Sequence, residues 1–592
     1  MRIIRTLLMI IGAVTTLAVA AAVAGLVFFS MRTPSVPEKT VLTLDLDRAV
    51  PEYGSGGFAP WIALGKSPPT LWETVAALER AAGDDRVVGL VARVGASGMG
   101  LARAQELRDA VKAFRRSGKP AYAFAESFGD FGPGNAAFYL AAAFEKIYLQ
   151  PSGDVGLTGL LAEGYFLKGT LEKLDVRLRL SQREEYKGVR ERFTNSGFSA
   201  PQREALTRIV ESLTEQLTAG ISEGRKLSPD TVRELMQQAP FSAGEALEAG
   251  LVDDVLYRDE LNDLVRETLG SKIAFLPLSR YRRRLETGDG DSATVALIYG
   301  LGQVHRGNSR RRVLSGRHSM GSDSIARAFR RAAADDGVKG IIFRVDSAGG
   351  SYVASDVIRR EVLRARRRGK PVVVSMGNVA GSGGYFIAAP ADRIIAQPAT
   401  LTGSIGVAAG KVLVKGLSDK LGVSWDHVAG NANATFWSPV QDYDPAQRTR
   451  LERRLDTIYD DFVSKVAEGR NLSVEQVSAA ARGRVWTGED ARERGLVDGL
   501  GGYAATLGAV REIAGMAPDA AIRLRLFPRR KSTLRLLAEE LTGGGDGAIS
   551  VPAPDLVAEA VERLGPLAAR ARHGGLAGRR GLLEMALPVR FR

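Results

Sequence analysis

The chain contains no cysteine, which excludes disulfides, zinc–thiolate centres and thiol catalysis while fitting either redox compartment. Histidine is nearly as scarce: His305, His318, His427 and His573 are the only four, and none lies in a motif of the kind that surrounds a catalytic imidazole. Also missing is any basic stretch interleaved with aromatic residues, the pattern that stacks single-stranded nucleic acid. The net charge of +14 therefore does not indicate a nucleic-acid partner. Arginine is spread along the chain, with local clusters at Arg280–Arg284, Arg310–Arg312, Arg366–Arg368 and Arg529–Lys531; attraction to an anionic membrane surface is the use this suggests. Charge and proline are both absent from Leu7–Phe29.

That uncharged run holds 23 residues, enough at 1.5 Å per residue to cross a hydrocarbon core of ~30 Å. Arg2 and Arg5 precede it and Arg32 follows, which favours a cytoplasmic N-terminus. A cleaved signal peptide is the rival reading, but its apolar core is shorter and ends in a small-x-small site; here the run closes in Leu-Val-Phe-Phe-Ser-Met. Residues 1–32 are therefore expected to be an uncleaved, single-pass anchor in the inner membrane, with the rest of the chain on the periplasmic, extracytoplasmic side.

What is present is a repeat. DDRVVGLVARV (Asp84–Val94) followed by GKP (Gly118–Pro120) matches DDGVKGIIFRV (Asp335–Val345) followed by GKP (Gly369–Pro371), at one constant spacing. FYLAA (Phe138–Ala142) answers YFIAA (Tyr385–Ala389), and AGLVDDV (Ala249–Val255) answers RGLVDGL (Arg494–Leu500). A repeat this long implies two tandem domains of one ancestry rather than a solenoid. The expected limits are 41–285 for the first and 293–516 for the second, with a polar joint at Glu286–Ser292 and a C-terminal extension over 517–592. Within each repeat short apolar β-rich runs alternate with helical patterns, which predicts an α/β fold built on a largely parallel sheet.

The two copies differ at two places. The second has Gly381-Ser382-Gly383-Gly384 where the first has Gly134-Asn135-Ala136-Ala137; the first has Lys187 in EEYKGVRERF where the second has Ala434. Ser382 sits between a strand and a helix start, whose amides can stabilise an oxyanion, and Gly349–Gly350 can bring N–H groups close to a substrate carbonyl. The alternative is that Ser382 merely caps its helix. A nucleophilic serine needs a base, and a lysine can supply one if it is held neutral. Lys187, read alone, is a surface lysine. The repeat comparison turns the pair into a candidate Ser/Lys site shared between domains.

RVDSAGGSYVASD, GNVAGSGGYFIAAPADRIIAQPATLTGSIGV and EEYKGV together resemble the long, duplicated form of the signal peptide peptidase A (protease IV) family, over nearly the whole chain. The resemblance implies a tandem Clp/crotonase-like spiral of ββα units. It implies Ser382 as nucleophile, Lys187 as general base, Ser404 orienting that lysine, and an oxyanion hole of the Gly383 and Gly350 amides. It further implies a membrane-anchored homotetramer that needs no metal, nucleotide or other cofactor. One departure is Ser-Ala-Gly-Gly at Ser347–Gly350 where the family usually has Ser-Pro-Gly-Gly; the N–H donors are retained.

The expected function is a membrane-bound serine–lysine endopeptidase that degrades remnant signal peptides and similar short apolar peptides. Two other readings stand beside it: a crotonase-type acyl-CoA enzyme, which the anchor and the Ser/Lys pair oppose, and a non-catalytic membrane scaffold, in which both residues would be incidental.

Overall fold

The short apolar runs become parallel strands in the computed structural model, which describes residues 36–48, 50–54, 68–95, 98–282, 292–311 and 318–528, positions 12 and 15, and the strand backbones of 582–584 and 590–591. In the first half, β1 (Thr40–Leu46), β2 (Val87–Val94), β3 (Ala121–Ala125), β4 (Lys146–Leu149), β5 (Asp254–Val255) and β6 (Ala274–Pro277) form an all-parallel sheet in the order β6-β1-β2-β3-β4-β5. In the second half, β7 (Ala293–Leu301), β8 (Val338–Ser347), β9 (Val372–Gly381), β10 (Arg393–Ala396), β11 (Leu401–Gly403), β12 (Val485–Thr487), β13 (Gly499–Leu500) and β14 (Ile522–Phe527) form the other. Its parallel path β14-β7-β8-β9-β10-β13 repeats the first sheet's order strand for strand. The chain is thus two tandem α/β units. The second sheet draws its edge strand, β14, from the segment read as C-terminal extension.

Long helices recur in register as well. Ala200–Arg225 and Pro445–Arg470 each span 26 residues and begin with a side-chain cap, Ser199 or Asp444, with proline in the first turn. Both end on a left-handed residue, Lys226 and Asn471, the usual way to satisfy the last carbonyls. Among the described residues no helix is long and apolar enough to cross a membrane; Leu7–Phe29 lies outside them apart from Gly12 and Thr15, as do most of the joint Glu286–Ser292 and the helix-like stretch Pro554–Arg572.

The repeats diverge where β9 runs to ten residues against the five of β3. Its second half gains a further parallel neighbour, β11, which pairs antiparallel with β12. That overhang ends at Gly381, directly before Ser382.

The two units are fused rather than strung together. One core cluster includes Leu90, Leu107 and Phe114 of the first unit together with Leu297, Ile342, Val373 and Tyr503 of the second. A third sheet joins strands of both: in spatial order Arg310–Arg311, His318–Gly321, Gln303–His305, Gly349–Ser351, Leu582–Glu584, Ala408–Leu413 and Arg177–Gln182. Above the second sheet, fully buried Arg344 of β8 binds Glu52 at 2.8 and 3.1 Å and Glu106 at 2.7 Å, donates to Ser375 Oγ at 2.8 Å, and stacks 4.7 Å from the Tyr503 ring centroid. Burial pushes both carboxyls up; for Glu52 the Arg344 and Arg103 cations win and its pKa falls, whereas Glu106, which also feels the Glu52 charge, ends up raised.

Breaking such a cluster from one side strands its remaining charges, typically at about 3–5 kcal/mol, whereas removing all of them together costs far less. Arg344→Met is therefore expected to lower unfolding free energy by about 3–5 kcal/mol, and adding Glu52→Leu and Glu106→Gln to recover more than half of it, as measured by urea unfolding at pH 7.

Candidate active site

Ser382 owes its position to backbone strain. With φ +55° and ψ −118° it occupies a left-handed conformation that costs a non-glycine residue about 1–3 kcal/mol and concentrates at functional sites. Two hydrogen bonds hold it: its N–H donates to the Gly403 carbonyl at 2.8 Å, and its carbonyl accepts from Phe386 N–H at 2.8 Å. Its hydroxyl makes no cap bond to the helix Gly383–Ala388. The capping reading is thereby corrected: Oγ makes no bond to the helix amides and meets Lys187 Nζ at 2.9 Å instead.

Lys187 arrives from the other unit. The strand Arg177–Gln182 pairs antiparallel with Ala408–Leu413 over six residue pairs, so the chain entering the lysine turn runs beside the chain leaving the Ser404 turn. Lys187 then ends a single 3₁₀ turn, Glu185–Lys187, and is fully buried. The surface-lysine reading is corrected by that burial. Nζ donates to the Ser404 carbonyl at 2.8 Å and lies 3.1 Å from Ser404 Oγ. Ser404 is itself left-handed at φ +52° and donates its N–H to the Arg484 carbonyl at 2.7 Å.

Two glycines that sequence reasoning missed make room for the lysine. A Cβ on Gly483, whose φ is +79°, would stand 2.5 Å from Lys187 N, and one on Gly406 would stand 3.0 Å from Lys187 Cδ. Gly406 lies in the stretch ending TLTGSIGV, where nothing marks it as a neighbour of the lysine, and Gly483 is one glycine among 67.

The turn Ser347–Gly350 comes up against the start of the Ser382 helix. A Cβ on Gly383 would lie 3.1 Å from Gly350 N and 2.8 Å from Ser355 Oγ, and one on Gly384 would lie 2.5 Å from the Ser347 carbonyl oxygen. Gly383 and Gly350 are thus brought together. With alanine at 348, Ser347 braces the turn: its Oγ donates to the Gly302 carbonyl at 2.6 Å and accepts from Gly349 N–H at 3.1 Å.

The matching places in the first unit are built differently. Asn135, at the Ser382 position, folds its side chain back onto Gly159, donating to the carbonyl at 2.7 Å and accepting from the N–H at 3.0 Å. Ala434, at the Lys187 position, lies in a 3₁₀ turn, Ala432–Thr435, and is exposed. The pair formed by Ser382 and Lys187 has no second copy among the described residues.

A polar bracket ties β9 to the first unit just ahead of the serine. Asp346 accepts from Val379 N–H at 3.1 Å and from Arg103 at 3.2 Å, while Asn378 accepts from Arg103 N–H at 3.1 Å and donates to the Met99 carbonyl at 3.1 Å. Burial, reinforced by the Glu52 charge, outweighs Arg103 and Arg344 and pushes the Asp346 carboxyl up to about 6.

The profile of peptidase family S49 matches residues 113–271 and 364–516. The chain is 32% identical to Protease 4 of Salmonella typhi over 486 residues, covering 80% of this chain and 76% of that protein. It is 27% identical to the chloroplastic serine protease SPPA of Arabidopsis thaliana, covering 87% and 75%. A putative signal peptide peptidase SppA of Enterococcus faecium is 33% identical over 188 residues, 32% of this chain and 55% of that protein.

The Asp346 carboxyl binds its proton more tightly folded than unfolded, so its contribution to stability falls as pH rises from the ordinary carboxylate range to about 6. Asp346→Asn, which keeps an acceptor for Val379 N–H, is expected to gain in melting temperature relative to the unmodified chain as pH rises across that interval, and the difference to level off above it. Melting curves of the two proteins from pH 4 to pH 8 check this.

Proposed function

The chain belongs to peptidase family S49 and is a serine peptidase; from that premise we propose that Ser382 is its nucleophile and Lys187 its general base, contributed by different repeats. The observation that carries this reading is the buried contact of 2.9 Å between Nζ and Oγ. General-base work requires a neutral amine, and removal from water is the physical effect that favours one. The Ser404 carbonyl and hydroxyl fix the direction of the Nζ lone pair toward Oγ.

In the proposed cycle Lys187 takes the Ser382 proton as Oγ attacks the scissile carbonyl. The carbonyl π electrons move to oxygen, and the Gly383 and Gly350 amides stabilise the resulting oxyanion. Collapse expels the amine, which leaves with the proton from Lys187, and an acyl-enzyme remains. Water, deprotonated by the same lysine, then attacks the ester; the acyl–Oγ bond breaks as Ser382 Oγ takes its proton back from Lys187, and the acid is released. The substrates we propose are remnant signal peptides and similar short apolar peptides, supported by the relative called a putative signal peptide peptidase. The finer reading adds a Clp/crotonase-like spiral for each unit, a homotetramer, and an anchor at Leu7–Phe29 that holds the peptidase units on the extracytoplasmic side of the inner membrane. The apolar length of that run and Arg2 and Arg5 before it support the anchor.

Ser382→Ala and Lys187→Ala are each expected to lower peptide hydrolysis by at least ~10³-fold, and the double variant to lose no more than either alone, because members of one catalytic unit are not additive. Hydrolysis by the unmodified chain is expected to rise with pH as the base loses its proton. Unaltered circular dichroism would exclude misfolding, and Lys187→Ala with activity near that of the unmodified chain would overturn the assignment. Gly483→Ala, which pushes Lys187 without touching Oγ, is expected to lower kcat by ~10²-fold, the usual effect of a displacement near 1 Å, with KM little changed in steady-state assays.

A further inference from the structure

Three consecutive residues of the second unit bear on the lysine turn of the first. The Arg482 carbonyl accepts from Tyr186 N–H at 3.2 Å. Gly483 leaves no room for a Cβ beside Lys187 N, and the Arg484 guanidinium carbon lies 4.9 Å from the Tyr186 ring centroid. The main chain of Arg484 reaches the other side of the site. β12 pairs antiparallel with β11, with Trp486 opposite Thr402 and Val485 opposite Gly403, and the next rung is the 2.7 Å bond from Ser404 N–H to the Arg484 carbonyl. One residue therefore touches both the turn that carries Lys187 and the serine whose carbonyl accepts from Nζ.

The guanidinium is fixed mainly by rings. Besides Tyr186 it lies 4.4 Å from the Trp486 centroid, and Trp486 is buried and pinned by its Nε1, which donates to the Ala480 carbonyl at 2.7 Å. Arg484 also donates to one oxygen of Glu204 at 2.7 Å, and the Tyr186 hydroxyl donates to the other at 2.8 Å. The Glu204 side chain is 56% exposed, and an ion pair so placed contributes little by itself. Arg484 is only 17% exposed, so its contacts with the two rings carry more of the constraint. A closed circuit results across the seam: Lys187 to Ser404, Ser404 to Arg484, Arg484 to Tyr186, and Tyr186 by a peptide bond back to Lys187.

The internal repeat ties this arrangement to the site. Aligned through the shared Gly-Leu-Val-Asp, Arg484 and Trp486 answer Ala239 and Phe241 of the first unit; aligned through their flanking glycines, Ser404 answers Leu157. The ladder itself persists there, with Val155 opposite Phe241. The first unit, which has Asn135 at the Ser382 position, thus keeps the pairing of these strands and has neither the arginine nor the indole.

We propose that Arg484 is a positioning residue for hydrolysis: its side chain locks the Lys187 turn to the Ser404 turn, so that Nζ stays aimed at Ser382 Oγ. This rests on the reading of Ser382 and Lys187 as nucleophile and base. Arg484 touches neither Oγ nor a substrate and acts only through the lysine, so its loss bears on the rate of the chemical step rather than on peptide binding. A planar cation suits the task, because it lies flat on the rings where an ammonium would not. A cavity of about 580 Å³, between the helix Ala200–Arg225 and Trp486, reaches Arg484, which gives a small solute access to the place its guanidinium occupies.

The test is steady-state hydrolysis of an apolar peptide by the full chain and its Arg484 variants. Arg484→Ala is expected to lower kcat by ~10²-fold, as a displacement near 1 Å does, with KM within ~2-fold. Ethylguanidinium added to that variant is expected to restore kcat by ~10-fold, and ethylammonium, a cation without the plane, to restore none of it. In a chain already carrying Lys187→Ala, Arg484→Ala is expected to change the residual hydrolysis by less than ~2-fold, because a residue acting through the lysine has nothing left to act on. Should Arg484→Ala fail to fold by circular dichroism, Arg484→Lys carries the same comparison, with kcat lowered by ~10-fold at unchanged KM. A raised KM with kcat intact, equal restoration by both cations, or an undiminished further loss in the Lys187→Ala chain would each overturn the positioning role. Full kcat in Arg484→Ala beside an inactive Lys187→Ala overturns that role alone and upholds the base. Lys187→Ala with activity near that of the unmodified chain overturns the base itself, whatever Arg484→Ala does.

Discussion

A contact of 2.9 Å between Lys187 Nζ and Ser382 Oγ joins residues 195 positions apart in two different units, and a hydrogen bond of that length tolerates almost no relative movement of the bodies that carry its ends. The seam between the units is built to meet this demand. Paired strands set the register between the lysine turn and the Ser404 turn, a shared apolar core fixes the distance between the sheets, and Arg344 with two acidic partners fixes the lateral position. Asp346, Arg103 and Asn378 add a bracket directly upstream of the serine. Hydrophobic contact alone would permit sliding; directional hydrogen bonds at several points do not.

Duplication explains how such a site could be distributed. Both units retain the parallel sheet and its strand order, so each retains a turn where the serine sits and another where the lysine sits. In the first unit the serine position became Asn135, which now closes a local turn with Gly159. In the second the lysine position became Ala434, on the surface. Each replacement takes away one member of the Ser/Lys pair while leaving the backbone usable, and what survives is one pair made of complementary remainders.

The same complementarity makes much of the candidate site legible in the sequence. The parallel α/β architecture follows from apolar runs alternating with helical patterns, and the Ser/Lys pair follows from comparing the two copies. Ser404, Gly383 and Gly350 stand out only through resemblance, because isolated serines and glycines carry no distinguishing pattern. Other features were hidden for physical reasons. Arg344 sits in the apolar run GIIFRV, where a lone arginine looks like a residue facing water, and its partners Glu52 and Glu106 are 292 and 238 positions away. Gly406 and Gly483 matter only because another unit's lysine passes beside them. The strand at Leu582–Glu584 is defined by main-chain pairing alone, which leaves no periodic mark in three residues.

Joining the two units in one polypeptide has a kinetic and thermodynamic consequence. Two separate chains that each contributed half of this constellation would form it in proportion to the product of their concentrations, and dilution would dismantle it. Here Ser382 and Lys187 meet by a unimolecular process, so the constellation forms as the chain folds and is insensitive to dilution. It is lost only by opening the seam or unfolding a unit, which places the chemistry and the integrity of the fold under a single free-energy difference.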